Sequence, residues 1–350
     1  MTQKQLNKTC SLTDIHFGCK ANSELHNQDC LNYIDWFCDN VRKDPDIDSI
    51  VFMGDWFENR SALNVSTLNY SHRGAKKLND LGLPVFFIIG NHDLYHRHNR
   101  EVYSTISFGE FDNFTIINEP TYIPHLGAGN LVCPYLFHAE YPQLAEYAHA
   151  PVWWGHFEFK GFVITGYNVL MPTGLDASSY EKQKRIFSGH FHKRQVSGNV
   201  CYIGNVFPTS FGDANDFERG MAVYTHDTDN LQFLNWVDCP KYIKINMSDI
   251  IDDSAVMYQN ARVKCMLDIK ITYEESAALR ISFMEEFNLR EFTMDETTDA
   301  AEALRDTEID EDSMDGLNTV DDLVMKMLTD IKTDQIDNNI LIDQYKRLTP

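Results

Sequence analysis

The sequence predicts an α/β fold: a large core of alternating strands and helices, followed by a smaller β-α-β unit. Three observations carry this reading. Short β-prone runs at residues 9–13, 50–53, 85–89, 152–154, 162–166 and 185–188 each end near a polar or glycine-rich turn. Helical periodicity lies between several of them. Beyond residue 241, a strictly alternating run is followed by a capped helix and a further β-prone run.

The elements follow in order. After the first run, Leu31, Ile34, Cys38 and Val41 recur at helix spacing, and "KDPD" stops that helix. Residues 64–81, between the second and third runs, are another helix candidate. In such an α/β core the chemistry is expected on loops at strand C-termini. In the second unit, Val263, Cys265, Leu267, Ile269 and Ile271 alternate as a half-buried strand. Thr272 then caps a helix through about Phe287, with Glu275 completing a Thr-x-x-Glu box, and "LREFTM" is a returning strand. Residues 291–322 hold thirteen acids against the single Arg305 and read as a flexible, self-repelling linker. Beyond it, Val320, Leu323, Met327, Leu328 and Ile331, then Ile336, Ile340, Leu341 and Tyr345, recur at helix spacing. The expected organisation is a core at 1–240, a small unit at 241–294, an acidic linker at 295–318 and terminal helices at 319–350.

Composition narrows the function. With 43% hydrophobic residues the chain can bury a core, which excludes disorder throughout. A net charge of −22 argues against a simple basic DNA-binding protein, since such proteins hold phosphates with Lys and Arg. It does not exclude phosphate chemistry, because divalent metals can supply the positive charge. Eight cysteines without a CxxC pair read as reduced thiols. The polar start and the shortness of every apolar run give no secretory signal and no membrane span, so a cytoplasmic protein is expected.

Five blocks follow β-prone runs and hold metal-ligand side chains. They are "TDIHFG" (Asp14, His16), "GDWFENR" (Asp55), "GNHD" (Asn91, His92, Asp93), "WWGHFEF" (His156) and "SGHFH" (His190, His192). Each alone is weak. Together, Asp14, His16, Asp55, Asn91, His156, His190 and His192 supply enough ligands for two divalent metals sharing a bridging carboxylate. Mixed N/O ligation without thiolate favours Mn, Fe or Zn. Glycine before Asp55, Asn91, His156 and His190 is expected to turn the backbone sharply where each strand delivers its ligand. Asn91 adds a neutral oxygen, which limits the negative charge facing an anionic substrate. His26, His72, His125, His138, His149 and His226 match no motif and receive no role.

The order D-x-H, G-D, G-N-H-D, G-H, G-H-x-H resembles that of calcineurin-like metallophosphoesterases. Within them it looks most like the DNA double-strand-break repair nucleases of the SbcD and meiotic-recombination-eleven type, including the T-even-like phage form. The resemblance implies a four-layer α/β/β/α sandwich with a small β-α-β cap domain that binds DNA, and C-terminal helices. It implies two divalent ions, Mn²⁺ or alternatively Mg²⁺. The first is placed on Asp14, His16, Asp55 and His192, the second on Asp55, Asn91, His156 and His190. It gives His92 the role of protonating the leaving oxygen and Asp93 that of orienting the His92 ring. It further implies 3′-to-5′ exonuclease action on duplex ends and single-strand endonuclease action. The partners it implies are DNA and an SMC-like, SbcC-type ATPase held by the C-terminal helices. The nuclease would be a homodimer within a heterotetramer, without a membrane, in host cytoplasm if phage-encoded. One position departs: some family members carry histidine three residues after the bridging Asp, where this chain has Glu58. Such an acid could reach a metal through water or repel substrate phosphate.

Two other readings compete. Phosphatases of the same superfamily usually read "GDxVDRG" and "GNHE", which this chain does not match. A non-catalytic scaffold is expected to have lost ligands, whereas all seven positions and His92 are present.

Overall fold

A computed structural model of the chain describes residues 4–164, 169–252 and 254–296. These belong to one compact unit that ends at Glu296. The expected terminal helices at 319–350, and all but the first two residues of the expected linker at 295–318, lie outside the described residues.

Two six-stranded sheets form the core. The first runs Asn230–Asn235, Gly220–Thr225, Lys8–Leu12, Ser49–Met53, Val85–Ile88, Phe114–Ile117. Its last four strands are parallel, with Cys10 opposite Ile50 and Ile50 opposite Val85. Strand Ser49–Met53 (SIVFM) is buried at every position, as an apolar run in a sheet covered on both faces must be. Alternation divides its side chains. Ile50, Phe52, Val85 and Phe87 face two helices, while Val51, Met53, Phe86 and Ile88 face the second sheet.

The helices are Glu24–Lys43 and Val65–Asn79. Ser23 caps the first by accepting from the His26 amide, and Leu31, Ile34, Cys38 and Val41 lie on its buried face. It stops before Asp44-Pro45, because a residue preceding proline is pushed out of helical geometry. Asn64 caps the second through the Ser66 amide.

The second sheet runs Gln195–Ser197, Val200–Tyr202, Arg185–Ser188, Val152–Gly155, Asn130–Cys133, Thr121–Ile123. Trp154 and Phe187 face the first sheet and stack at 4.3 Å. Trp153, Ile186 and Tyr202 face outward into a third cluster with Leu144 and Tyr180, from the 3₁₀ segments His138–Tyr147 and Ala177–Tyr180. Four layers result. The second outer layer is 3₁₀ helix and loop rather than α-helix among the described residues. Of the expected run at 162–166, Val163–Ile164 is strand and 165–168 lie outside the described residues.

The small unit has one strand more than the β-α-β expectation. Tyr242–Asn246, Arg262–Leu267 and Glu291–Glu296 form a parallel sheet. Helix Tyr273–Glu286 connects the last two, with the Thr272–Glu275 capping box in place. Arg290 fastens the unit to helix Glu24–Lys43 through a bidentate pair with Asp29, at 2.5 and 2.9 Å.

Cysteines are spread through the hydrophobic layers; none of the eight is in a disulfide, and all are buried. No helix among the described residues is long and apolar enough to cross a membrane.

Candidate metal centre

Five parallel strands deliver the candidate site at their C-terminal ends. Lys8–Leu12 leads to Asp14 and His16, Ser49–Met53 to Asp55, and Val85–Ile88 to Asn91, His92 and Asp93. From the second sheet, Val152–Gly155 leads to His156 and Arg185–Ser188 to His190 and His192. The two sheets therefore pool their ligands at one edge of the sandwich.

The structure gathers the seven side chains into two groups. In the first, ligand atoms of Asp14, His16 and His192 lie within 4.8 Å of one another. His16 Nε2 faces His192 Nε2 at 3.2 Å, and each nitrogen is 3.9 Å from Asp14 Oδ1. In the second, Asp55, His156 and His190 converge to the same degree. Asn91 Oδ1 sits between them, 2.8 Å from His156 Nε2 and 3.1 Å from His190 Nδ1. Asp55 Oδ2 addresses both groups, 3.2 Å from His156 Nε2 and 3.9 Å from His16 Nε2.

This donor set fits divalent cations. Imidazole nitrogens aimed at one another and at carboxylates in a buried pocket require either extra protons or a cation among them. Thiolate is absent from both groups, so the ligand chemistry suits metals that accept nitrogen and oxygen.

Backbone geometry is unusual where the ligands sit. Asp14 (φ 52°), His16 (φ 51°), Asp55 (φ 61°) and His190 (φ 90°) are left-handed non-glycine residues. Each such conformation costs about 1–3 kcal/mol and persists only when the surroundings impose it. The expected role of the glycines is corrected accordingly. Gly54 alone of the four has positive φ (95°), and a Cβ there would strike the His156 ring. The others are not left-handed; at two of the four turns, those of Asp55 and His190, the ligand itself takes the strained conformation.

Three of the histidines place the far ring nitrogen against an oxygen. His156 Nδ1 is 2.7 Å from the Met53 carbonyl, which can only accept, so Nδ1 holds the hydrogen and Nε2 faces Asp55 and Asn91. His92 Nδ1 likewise donates to the Glu58 carbonyl at 2.9 Å, leaving Nε2 for proton chemistry. His16 Nδ1 pairs with Glu58 Oε2 at 2.8 Å. Glu58 therefore sits behind a candidate ligand, with its main chain behind His92.

Asp93 does not orient His92, as the resemblance implies it should. Its carboxylate accepts from the amides of Asp55, Trp56, Phe57 and Gly90 at 3.0–3.3 Å. It braces the two loops that carry Asp55 and Asn91. Burial and the adjacent Asp55 nonetheless push its pKa up to about 6.

Charge is strongly coupled. Burial alone would raise Asp55, but the His156 and His92 imidazoles hold it well below the usual carboxylate range. Burial alone would lower His156, but Asp55 lifts it to about 9. Burial opposes and Glu58 outweighs it at His16, which is also raised. Without metal, the folded state thus holds protons on imidazoles that release them near pH 6.5 when unfolded. The stability this adds is complete below pH 6.5 and is lost as pH rises toward 9. From His156 alone the loss is about 3 kcal/mol. Urea unfolding in chelator at pH 6.5 and pH 9 is expected to show it, and saturating divalent metal to abolish it.

Sequence reasoning missed three residues. Glu158, two after His156, is buried behind His190. His138, given no role, lies 3.5 Å from Glu158. His26 Nε2 donates to the His16 carbonyl at 2.9 Å, and burial drops its pKa to about 4. A lone acid inside the aromatic run "WWGHFEFKGF" was the available signal for Glu158.

The fold and this centre define a metal-dependent phosphoesterase class: residues 9–194 match the calcineurin-like phosphoesterase family, and the chain belongs to it. Among individual proteins, it is similar to exonuclease subunit 1 of Enterobacteria phage T4. The two are 27% identical over 231 residues, which is 65% of this chain and 67% of that protein. A dimetal phosphatase from Danio rerio aligns over 63% of this chain and 93% of its own, at 9% identity and a TM-score of 0.38.

Proposed function

We propose that this chain is the Mn²⁺-dependent nuclease subunit of an SbcCD-like nuclease–ATPase complex that processes DNA ends. The observation that carries this reading is Asp55, whose Oδ2 faces both ligand groups at once. Similarity to a phage exonuclease subunit gives the substrate class. Asp14, His16, Asp55 and His192 would hold one ion, and Asp55, Asn91, His156 and His190 the other. When bound, such a pair polarises the phosphoryl group and activates water for in-line displacement. His92, its Nδ1 hydrogen committed to Glu58, presents Nε2 to give a proton to the departing sugar oxygen. Glu58, paired with His16, acts on the site through that ring.

In this reading residues 241–294 are the cap that contacts DNA. Residues 319–350, outside the described residues, are the element that binds the ATPase, as their helical spacing supports. The assembly is a nuclease homodimer with two ATPase subunits, acting in host cytoplasm. Its activities are 3′-to-5′ exonuclease on duplex ends and endonuclease on single strands.

The test is degradation of end-labelled duplex and single-stranded DNA by purified protein in Mn²⁺, Mg²⁺ and chelator. Mn²⁺-dependent cleavage is expected, abolished by chelator and reduced about 10²–10⁴-fold in His92→Ala, the span of general acid catalysis. Hydrolysis of phosphomonoesters with no cleavage of either DNA, even with the ATPase added, would sink the nuclease reading.

A further inference from the structure

The geometry points to Glu158 as a positioning residue that fixes the His190 ring, a role that rests on the functional reading above. Glu158 is 2% exposed, and neither carboxylate oxygen has a hydrogen-bond partner. His190 Nε2 is also buried without one. These two orphans face each other at 3.6 Å, a complementary donor and acceptor just beyond bonding distance. The opposite nitrogen, His190 Nδ1, faces Asn91. A neutral imidazole carries one hydrogen, and the nitrogen bearing it cannot also offer a lone pair. With that hydrogen on Nε2, directed at Glu158, Nδ1 and Asn91 Oδ1 both present lone pairs, an arrangement that suits a cation held between them.

The other histidines follow the same logic by different means. His156 is fixed by the Met53 carbonyl and His16 by the Glu58 carboxylate. Outer partners of this kind set the tautomer and raise the basicity of a ligating imidazole. At His190 the partner is an ion rather than a carbonyl, which is costly to bury, and the backbone around it is held in place. The Glu158 carbonyl accepts from the Leu175 amide at 2.8 Å. Gly174 (φ 102°) keeps its own Cβ out of space only 3.2 Å from Glu158 Oε1. His138 Nε2, half exposed, lies 3.5 Å from that same oxygen, on the side away from His190 Nε2, which faces Oε2. Glu158 thereby connects a deeply buried candidate ligand with a surface histidine.

The test is ion binding, read apart from turnover. Mn²⁺ titration of the full chain should resolve two sites in the wild type. Glu158→Ala is expected to weaken one about 10–100-fold, the usual cost of an outer-shell partner, and leave the other unchanged. In Glu158→Gln the amide oxygen still accepts from Nε2, so binding should return to within about threefold of wild type. Equal binding in both variants and the wild type overturns the role, as does an equal loss at both sites with the metal-free fold intact. Should Glu158→Ala fail to fold, ¹⁵N-histidine spectra of the Zn²⁺-loaded wild type decide. Hydrogen on Nε2 of His190 supports the assignment, and hydrogen on Nδ1 refutes it. A wild-type chain that binds fewer than two ions sinks the functional reading itself, and this inference with it.

Discussion

Asp55→Asn is expected to lower Mn²⁺-dependent DNA cleavage by more than about 10²-fold while leaving the fold intact. Loss of a residue merely behind a ligand costs about 10–100-fold, so loss of the one carboxylate facing both ligand groups should exceed it. Asparagine is nearly isosteric and keeps an oxygen for the His92 amide, which Asp55 Oδ1 receives at 2.9 Å. What disappears is the negative charge. Burial then acts on His156 unopposed by Asp55, and its pKa should fall from about 9. Two readouts should move together: cleavage collapses, and the pH dependence of metal-free stability between 6.5 and 9 flattens. Activity retained within tenfold would show that Asp55 does not bridge.

Asp93→Ala should produce the largest loss of stability, about 3–5 kcal/mol, because several buried amides lose their acceptor together. Those amides belong to Asp55, Trp56, Phe57 and Gly90, so both ligand loops loosen. The left-handed backbone at Asp55 has no reason to persist once its brace is gone. Urea unfolding in chelator measures the effect, and weaker Mn²⁺ binding should accompany it. A variant of wild-type stability with impaired cleavage would restore the alternative, in which Asp93 acts on the His92 ring.

The two aspartates show what sequence carries and what it does not. Ligand-bearing blocks are short and local, so Asp14 through His192 could be assembled from motif order before any geometry was known. The same holds for helix Tyr273–Glu286, whose caps, Thr272 and Phe287, directly adjoin it. The bracing contacts of Asp93 were not legible, because its partners are backbone amides up to 38 residues away, which have no side-chain signature. Glu158 went unseen for a related reason: only folding brings it against His190 from a different strand. Strands Gly220–Thr225 and Asn230–Asn235 were also missed. The second alternates between half-buried and exposed positions at a sheet edge, where apolar patterning is weakest. Tyr242–Asn246, with two lysine or asparagine positions in five, escaped similarly.

The buried thiols give the molecule a set of internal clocks. Cys10, Cys30, Cys38 and Cys239 lie under the helices, Cys201 between the sheets, Cys133 beneath the 3₁₀ layer and Cys265 in the small three-stranded unit. Burial pushes Cys38, Cys201 and Cys265 up to about 12, so these three hold almost no reactive thiolate at neutral pH. An alkylating reagent can modify each only when the layer above it opens. The order in which they are modified is therefore the order in which the layers part, and the small unit reports on its own opening through a single sulfur.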